Sequence, residues 1–522
     1  MITRDRSKQG NMVASERHNT QLSILANRRW LILPVVTLAF ATRLYRLDEQ
    51  SLWFDEIVII VLARIPWYDG LVAALGQGIQ FTPLFQWIIK LWLAVGDTDW
   101  LVRVPSVAVG VLTVPVVFKL GQLYFSDEVG LLAAFIFAMN PYQVWYGQEA
   151  KLYALLPFAA AGAMVAFGQM LRTGGRRGLW PLILFNLLGF TAHYFVFLVS
   201  TVQFLYLVIA FKRTYSLLRR WVVTQVIPAL ALVPWWLFII QQKHFAIGIG
   251  RAQRPHWLDP LLTFWNFSFG YTGELSITSI ISLVVMTLGL GMGLWQSWRK
   301  PMRGWLMTLC LIFPPIITLL MSFGRISFYA DRYLLIITPV LTVLTVSGLL
   351  SIRPRLPRWG LILTFAMATG LGLLGVYFDR MNFTKEDWRA LAYRVDAQAQ
   401  TGDMVITCTD GHWLSFEYYN PHHTLSAEDV MSASQLTNTS VLTPYKAVWV
   451  ITMHDRPPLH YLSKTLPPVL DASRLSPEVV VWTKRNLHSE ITVAGISAYR
   501  YDVADPSALI EVVNWHCQRG PK

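Results

Sequence analysis

Two adjacent carboxylates, Asp55 and Glu56, follow an aromatic pair directly after the first hydrophobic segment of the chain. Acidic side chains beside a membrane segment are costly because charge is poorly solvated there, and they usually serve transport or chemistry. The run Ile57 to Ala63 predicts a short helix that begins at this pair. A carboxylate at a helix start is also stabilised by the helix dipole, so a simple capping role is the alternative interpretation.

A sparse set of cations lies in segments predicted to face the same side of the membrane as the acidic pair. These cations are Lys151, Arg251, Arg254, Arg325 and Arg332. Arginine suits phosphate because its paired N–H donors match two oxygens of the ligand. The set therefore predicts an anionic ligand near Asp55, with snorkelling from helix ends as the alternative for Arg325 and Arg332.

The composition indicates the class of protein that must position these residues. Of 522 residues, 54% are hydrophobic and 14% are charged, whereas soluble domains carry about 25% charged residues. We predict a polytopic α-helical membrane protein. The net charge of +13 does not indicate a nucleic-acid partner, because the basic residues fall in short clusters between apolar runs.

The distribution of basic clusters predicts eleven spans, with the N-terminus cytoplasmic and the C-terminus extracytoplasmic in the cell inner or plasma membrane. The segment Pro83 to Val95 is too short for a span and is predicted to lie at the interface. The resulting plan has a basic tail at 1–29, a membrane domain at 30–378 with a first outer loop at 48–99, and an outer domain at 379–522. The spans are predicted near 30–47, 100–118, 128–141, 150–171, 178–191, 193–211, 221–240, 276–298, 304–322, 331–350 and 358–378.

The last 144 residues have the pattern of a soluble α/β domain, with a helix near Lys385 to Gln400. Strands are predicted at Met404–Cys408, Ala447–Thr452, Val479–Trp482 and Ile491–Tyr501. A disulfide between Cys408 and Cys517 is possible if this domain is exported, and the sequence alone leaves the pairing open.

Several short motifs along the first 200 residues resemble those of membrane glycosyltransferases of the GT-C fold, family 39, of the protein-mannosyltransferase and aminoarabinose-transferase kind. The acidic pair is the most specific of them. The motifs are Arg-x-x-Arg at 43–46, Leu52-Trp53-Phe54-Asp55-Glu56, Thr82-Pro83-Leu84-Phe85, Val102-Arg103-Val104-Pro105-Ser106 and Tyr146-Gly147-Gln148-Glu149-Ala150-Lys151-Leu152-Tyr153. The histidine that such proteins often carry before the Thr-Pro-Leu step is replaced here by Phe81.

The resemblance implies transfer of a sugar from a polyprenyl-phosphate donor to a lipid, glycan or protein acceptor at the outer face, with membrane lipid as surroundings. It implies Asp55 as general base, Glu56 as a second catalytic residue beside it, and inversion at the anomeric carbon. Contacts to donor phosphate or sugar are expected from Lys151, Arg251, Arg254, Arg325, Arg332, Tyr329, Glu149, Gln148 and His193. No cofactor is predicted; the His and Glu spacing specifies no metal site, although a divalent metal remains possible.

Two other functions compete with the enzyme. A polyprenyl-linked lipid flippase or transporter with an outer accessory domain would need polar groups within the spans and related halves. Most spans lack charges at mid-membrane, and no internal repeat is visible. A scaffold or sensor without chemistry would leave the acidic pair with no task.

Overall fold

The membrane part of the chain consists of apolar helices that follow the hydrophobic runs of the sequence. The computed structural model describes residues 30–76, 83–241, 255, 258–271, 276–299, 303–324, 327–378, 385–420, 425–453, 482–483 and 485–517. The helices of this part are α1 (Ile32–Leu44), α2 (Phe54–Arg64), α3 (Trp67–Gly76), α4 (Leu84–Trp92), α5 (Asp99–Tyr124), α6 (Asp127–Met139), α7 (Pro141–Gly147), α8 (Leu155–Arg172), α9 (Leu179–Ala192), α10 (Phe197–Ile209), α11 (Phe211–Ala231), α12 (Val233–Gln241), α13 (Asp259–Phe269), α14 (Ile277–Arg299), α15 (Arg303–Ser322), α16 (Thr338–Leu350) and α17 (Arg355–Phe378).

Seven helical stretches in the described part are long and apolar enough to cross a membrane. They are Asp99–Tyr124, Leu152–Arg172, Thr214–Gln241, Ile277–Arg299, Gly304–Ser322, Asp331–Leu350 and Arg355–Phe378. The other four predicted spans contain α1, α6, α9 and α10, which have 13 or 14 residues. At 1.5 Å per residue these reach only about 20 Å, so their assignment as spans stays a prediction.

Helix α4 lies within the Pro83 to Val95 segment, where an interfacial helix is predicted. Its nine residues extend about 14 Å, which is too short to cross a membrane. With α2 and α3 it forms the helical segment between α1 and α5. The side chain of Gln86 donates to the carbonyl of Leu62 at 3.2 Å, which fastens α4 to the end of α2.

Close backbone packing holds the first membrane helices together. A Cβ added to Gly121 of α5 would come 2.5 Å from the Cα of Gly130 in α6. Small residues at such contacts let helix backbones approach, which matters in a membrane because lipid provides little hydrophobic driving force between helices.

The C-terminal part is a domain built on a five-stranded sheet. Its strands are β1 (Asp403–Thr407), β2 (Val430–Ser432), β3 (Ala447–Met453), β4 (Leu487–Val493) and β5 (Ile496–Asp502), in the order β2-β1-β3-β5-β4. Its main helices are α18 (Trp388–Asp396), α19 (Trp413–Tyr419) and α20 (Pro506–Cys517). Strand β1 pairs in parallel with β2 and β3, whereas β5 is antiparallel to β3 and β4.

Alternating side chains of β1 pack on the two faces of the sheet. In β1, Val405 packs with α18 and α19, while Met404 and Ile406 pack with α20. This is the period of two that a pleated strand imposes, and it explains why all five residues of the strand are buried.

The predicted strand at Ile491–Tyr501 is wrong as a single element. Gly495 has φ +71°, a left-handed conformation that favours glycine, and it turns the chain between β4 and β5. The predicted strands over Met404–Cys408 and Ala447–Thr452 correspond to β1 and β3, while 479–481 lie outside the described residues.

Cys408 and Cys517, whose pairing the sequence left open, form a disulfide with Cα atoms 4.6 Å apart. The bond joins the end of β1 to the end of α20. It therefore links the last described helix to a strand that lies between β2 and β3 in the sheet.

We expect Cys517→Ser to loosen the C-terminal domain, because the disulfide joins residues 109 positions apart and restricts the unfolded chain. Such a bond stabilises a fold by about 2–5 kcal/mol, so digestion of the domain in limited proteolysis of the full-length protein should be at least about tenfold faster. Reductant should accelerate digestion of the wild type and leave Cys517→Ser unchanged. Equal digestion of the wild type with and without reductant would contradict the expectation.

Candidate active site

The acidic pair lies in the first turn of α2. Trp53 is the N-cap residue, with extended backbone (φ −96°, ψ 171°), and Glu56 reaches back so that its Oε2 accepts from the Trp53 amide at 3.3 Å. This back-bond satisfies one of the amide groups that a helix start leaves without a partner. Glu56 turns inward and is fully buried, while the Asp55 side chain remains 28% exposed.

Glu56 is held by Arg103 of α5 through a two-pronged ion pair. The Nε of Arg103 donates to Oε1 at 2.9 Å and its Nη2 to Oε2 at 2.8 Å, and the Ala150 amide donates to Oε1 at 2.7 Å. Burial raises the pKa of Glu56, but the charge and hydrogen bonds of Arg103 outweigh it, and the pKa lies below its ordinary value. Both oxygens of this carboxylate are thus engaged within the protein.

Arg103 also fixes the backbone that leads to the acidic pair. Its Nη1 donates to the carbonyls of Leu47 and Gln50, both at 2.8 Å, and its Nη2 to that of Ser51 at 2.9 Å. In the sequence, Arg103 belongs to the Val-Arg-Val-Pro-Ser motif, which predicts no role for it. The available signal was its position, a cation near the end of an apolar helix on the side of the acidic pair.

Asp55 lies between two cations that the sequence placed on the same side. Its Oδ2 is 3.9 Å from the Nζ of Lys151 and 4.0 Å from the Nη1 of Arg332. The guanidinium of Arg332 lies over the rings of Tyr153 and Tyr333, at 5.8 and 5.4 Å from their centroids. Lys151 is nearly buried, whereas Arg332 is 35% exposed. This cluster is a partly open, positively charged site around one carboxylate.

Glu149 has a different environment from Asp55. It is fully buried; its Oε1 accepts from the Trp53 indole at 3.0 Å, and its Oε2 is 3.8 Å from the Nζ of Lys385. Burial raises the pKa of Glu149, and Lys385 offsets only part of this shift. Lys385 comes from the C-terminal domain and was not singled out by the sequence.

The remaining predicted ligand residues make contacts within the protein. Gln148 donates to the carbonyls of Arg43 and Tyr45 at 3.1 and 2.9 Å, at the end of α1. His193 is buried, and its Nδ1 accepts from the Phe195 amide at 3.1 Å. The Tyr329 hydroxyl lies 2.9 Å from that of Thr263. Their roles toward a ligand stay predictions, and Arg251, Arg254 and Arg325 lie outside the described residues.

Metal binding has no support from clustering in the described ranges. Within them, no group of three His, Cys, Asp or Glu side chains is arranged to hold a metal ion. This observation does not test the prediction of no cofactor, which left a divalent metal possible.

We expect Glu56→Gln to destabilise the protein by about 3–5 kcal/mol, because it leaves Arg103 buried without its counter-charge. The lowered pKa of Glu56 means that its ionic contribution is present above the unfolded-state pKa and is lost as the pH falls through the lower folded-state value. The melting temperature of the variant should therefore be lower than that of the wild type at pH 7. The difference between the two melting temperatures should decrease at acidic pH. Thermal unfolding of the purified protein in detergent measures both.

The matched control for this substitution is Glu128→Gln, which changes an exposed carboxylate at the start of α6. Its free energy of unfolding should lie within about 0.5 kcal/mol of the wild-type value. Equal melting temperatures of Glu56→Gln and Glu128→Gln at pH 7 would contradict a stabilising role of the Glu56–Arg103 ion pair.

The fold and part of the sequence are similar to known proteins. Residues 80–238 match the family model described as dolichyl-phosphate-mannose-protein mannosyltransferase. The structure of ArnT from Cupriavidus metallidurans in the apo state aligns with a TM-score of 0.59 at 13% identity, covering 92% of this chain and 99% of that one. The same protein bound to undecaprenyl phosphate aligns with a TM-score of 0.55 at 12% identity, covering 90% and 97%.

None of the curated proteins matches this sequence. At such low identity the structural likeness establishes the fold, and the family match supplies the enzyme class. The chain is therefore a polytopic membrane protein of the GT-C fold, and a glycosyltransferase similar to the protein-mannosyltransferase and ArnT type.

Proposed function

We propose that this protein transfers a sugar from a polyprenyl-phosphate donor to a hydroxyl group of a lipid, glycan or protein acceptor at the extracytoplasmic face, with Asp55 as general base. The observation that carries the proposal is the environment of Asp55. It is partly exposed and has two cations within 4.0 Å, whereas Glu56 and Glu149 are fully buried. ArnT, which has a similar fold, was crystallised with undecaprenyl phosphate. This ligand is a polyprenyl phosphate, which supports the proposed donor class.

The reaction needs a base and a positive environment for the leaving phosphate. The acceptor oxygen attacks the anomeric carbon, its proton passes to a carboxylate oxygen of Asp55, and the bond from the anomeric carbon to the phosphate oxygen breaks. The electron pair of that bond leaves with the polyprenyl phosphate. Attack opposite the leaving group inverts the anomeric centre. Positioned acid–base help of this kind contributes about 10²–10⁴-fold.

Lys151 and Arg332 are suited to stabilise the departing phosphate. Fixed cations stabilise charge where it develops in the transition state, and they need no rearrangement when it appears. The partly exposed Arg332 can offer its N–H donors to a phosphate, while the buried Lys151 contributes a second positive charge 3.9 Å from Asp55.

Glu56 is reassigned from a catalytic to a positioning role. Its two oxygens accept from Arg103, Ala150 and Trp53, so a substrate hydroxyl would have to displace a partner in a buried site. Glu149 is equally enclosed, between Trp53 and Lys385.

The proposed extracytoplasmic position of the C-terminal domain is supported by its disulfide. Disulfides persist in oxidising compartments and are rare in the cytosol, and the Cys408–Cys517 bond links two parts of this domain. Asp55 lies on the same side, because Phe54 beside it stacks on His412 of the domain.

We expect Asp55→Asn to lower sugar transfer by at least about 10²-fold, because asparagine is similar in shape but accepts no proton. Purified protein would be incubated with candidate polyprenyl-phosphate sugars and acceptors, and the products identified by mass spectrometry. The matched control is Asp69→Asn, an exposed carboxylate of α3, which should keep wild-type turnover.

Turnover by Asp55→Asn at the wild-type rate, in protein with an unchanged melting temperature, would reject Asp55 as the base. Movement of the lipid donor across reconstituted vesicles without any covalent transfer would favour the transporter instead.

We expect Arg332→Gln to lower kcat/KM for the donor by about 10–100-fold, because one of the two charges that stabilise the leaving phosphate is lost. Arg64→Gln is the control, since Arg64 is a half-exposed cation that pairs with Asp97 away from Asp55. Binding of the empty carrier, measured with polyprenyl phosphate, should weaken in Arg332→Gln only. Equal affinities in the two variants would contradict a phosphate contact at Arg332.

A further inference from the structure

The C-terminal domain contacts the short segment that leads into the Asp55 turn. This turn segment, residues 48–54, is touched along its length by the start of α18 and by the loop and helix around α19. The contacts involve hydrogen bonds, an ion pair network and a ring stack. A domain that merely covered the membrane part would not need contacts at so many successive positions.

Tyr419, at the end of α19, bonds directly to the backbone of the turn segment. Its hydroxyl accepts from the Leu52 amide at 2.7 Å and donates to the Oδ2 of Asp99 at 2.6 Å. Burial and the neighbouring Asp99 carboxylate raise the pKa of Tyr419 well above its ordinary value, so the hydroxyl keeps its proton. One group of the C-terminal domain thus links the turn segment to the first residue of α5.

Two further hydrogen bonds extend this link. The Ser51 hydroxyl donates to the carbonyl of Glu386 at 3.1 Å, and the Nη2 of Arg389 donates to that of Asp48 at 2.8 Å. Arg389 also lies 3.2 Å from Asp99 through its Nη1. The backbone before Asp55 is therefore held from the domain side at three places.

The residue next to Asp55 is held by a ring contact. The Phe54 ring stacks on His412 at 4.1 Å between centroids, with 15° between planes. Gly411 has φ +82°, and a Cβ there would come 3.2 Å from the tip of the Phe54 ring. Both the backbone angle and the space favour glycine at this position, where the loop passes closely beneath the ring.

Lys385 reaches from the C-terminal domain into the charged cluster beneath the turn. It is 4% exposed, and its Nζ lies 3.8 Å from Glu149, whose other oxygen accepts from the indole of Trp53. Its charge also lies 4.8 Å from the Trp145 ring centroid. Without this lysine, Glu149 would be a fully buried carboxylate close to two others, which is unfavourable.

We propose that the C-terminal domain sets the position of Asp55, with Tyr419 and Lys385 as positioning residues that act through Leu52 and through Glu149 and Trp53. The inference rests on the proposed function for its consequence in catalysis. The contacts that hold the turn segment do not depend on the proposed function. A reacting group displaced by about 1 Å can cost 10²-fold in rate, so modest loosening of this segment should be visible in turnover.

The test uses the full-length protein with Tyr419→Phe, which keeps the ring and removes only the hydroxyl. We expect kcat to fall about tenfold with the KM for the donor unchanged within about twofold, because the base is displaced while the phosphate contacts remain. Hydrogen exchange of the peptide that contains Leu52 should become faster. Tyr393→Phe, an exposed tyrosine of α18, is the matched control for both measurements.

Lys385 provides a second test through charge rescue. Lys385→Met should lower kcat and accelerate exchange of the turn segment, while Lys385→Arg should restore at least half of both. Lys446→Met, an exposed lysine before β3, is the control. If Lys385 had only a structural role, its replacement would lower the melting temperature, and kcat would not depend on whether the new residue is methionine or arginine.

The two proposals fail in different ways. If Tyr419→Phe and Lys385→Met match their controls in hydrogen exchange, the C-terminal domain does not hold the turn, whatever the enzyme does. If both accelerate exchange yet leave kcat unchanged, the positioning role is overturned. If no sugar is transferred even by the wild type, the proposed function fails, and the exchange measurement still decides whether the domain holds the turn.

Discussion

The buried ion pair between Glu56 and Arg103 is the interaction on which the site depends. Each partner would be costly alone, because a buried charge without its counter-charge loses hydration and gains nothing in return. The pair is therefore retained as a unit, which fixes the start of α2 against α5. The remaining donors of Arg103 bind three backbone carbonyls between Leu47 and Ser51. The pair therefore constrains Asp55 from the side of the membrane helices, because Asp55 is the residue directly before Glu56.

Three carboxylates meet in this region, and their different cations give them different roles. Arg103 neutralises the fully buried Glu56, and Lys385 of the C-terminal domain faces the buried Glu149. Of the three carboxylates, only Asp55 has a partly exposed side chain, and its cations are Lys151 and Arg332. Environment, and not residue type, thus distinguishes the one carboxylate with a partly exposed side chain from the two that are fully buried.

The sequence could predict what depends on local pattern and on charge. Apolar runs located the membrane helices, and the exclusion of cations from one side grouped Asp55 with Lys151 and Arg332, which the structure brings within 4.0 Å. It could not predict the partners of Glu56 and Glu149, because Arg103 and Lys385 are distant in sequence and carry no spacing signal. The hairpin at Gly495 could not be predicted either, because a single glycine with positive φ does not interrupt the apolar pattern of the run around it.

The Asp55 turn is consequently held from two sides that belong to different kinds of structure. Arg103 holds it from a membrane helix, while Tyr419 and Arg389 hold it from the C-terminal sheet domain, and Asp99 contacts both of these last two residues. Helices packed in lipid and a sheet packed in water respond differently to their surroundings. A carboxylate attached to either alone would move with that part. The turn segment bonds to both parts. On the proposed positioning role, Asp55 keeps its distance to Lys151 and Arg332 only while the two parts stay docked, which makes the docking contacts part of the site.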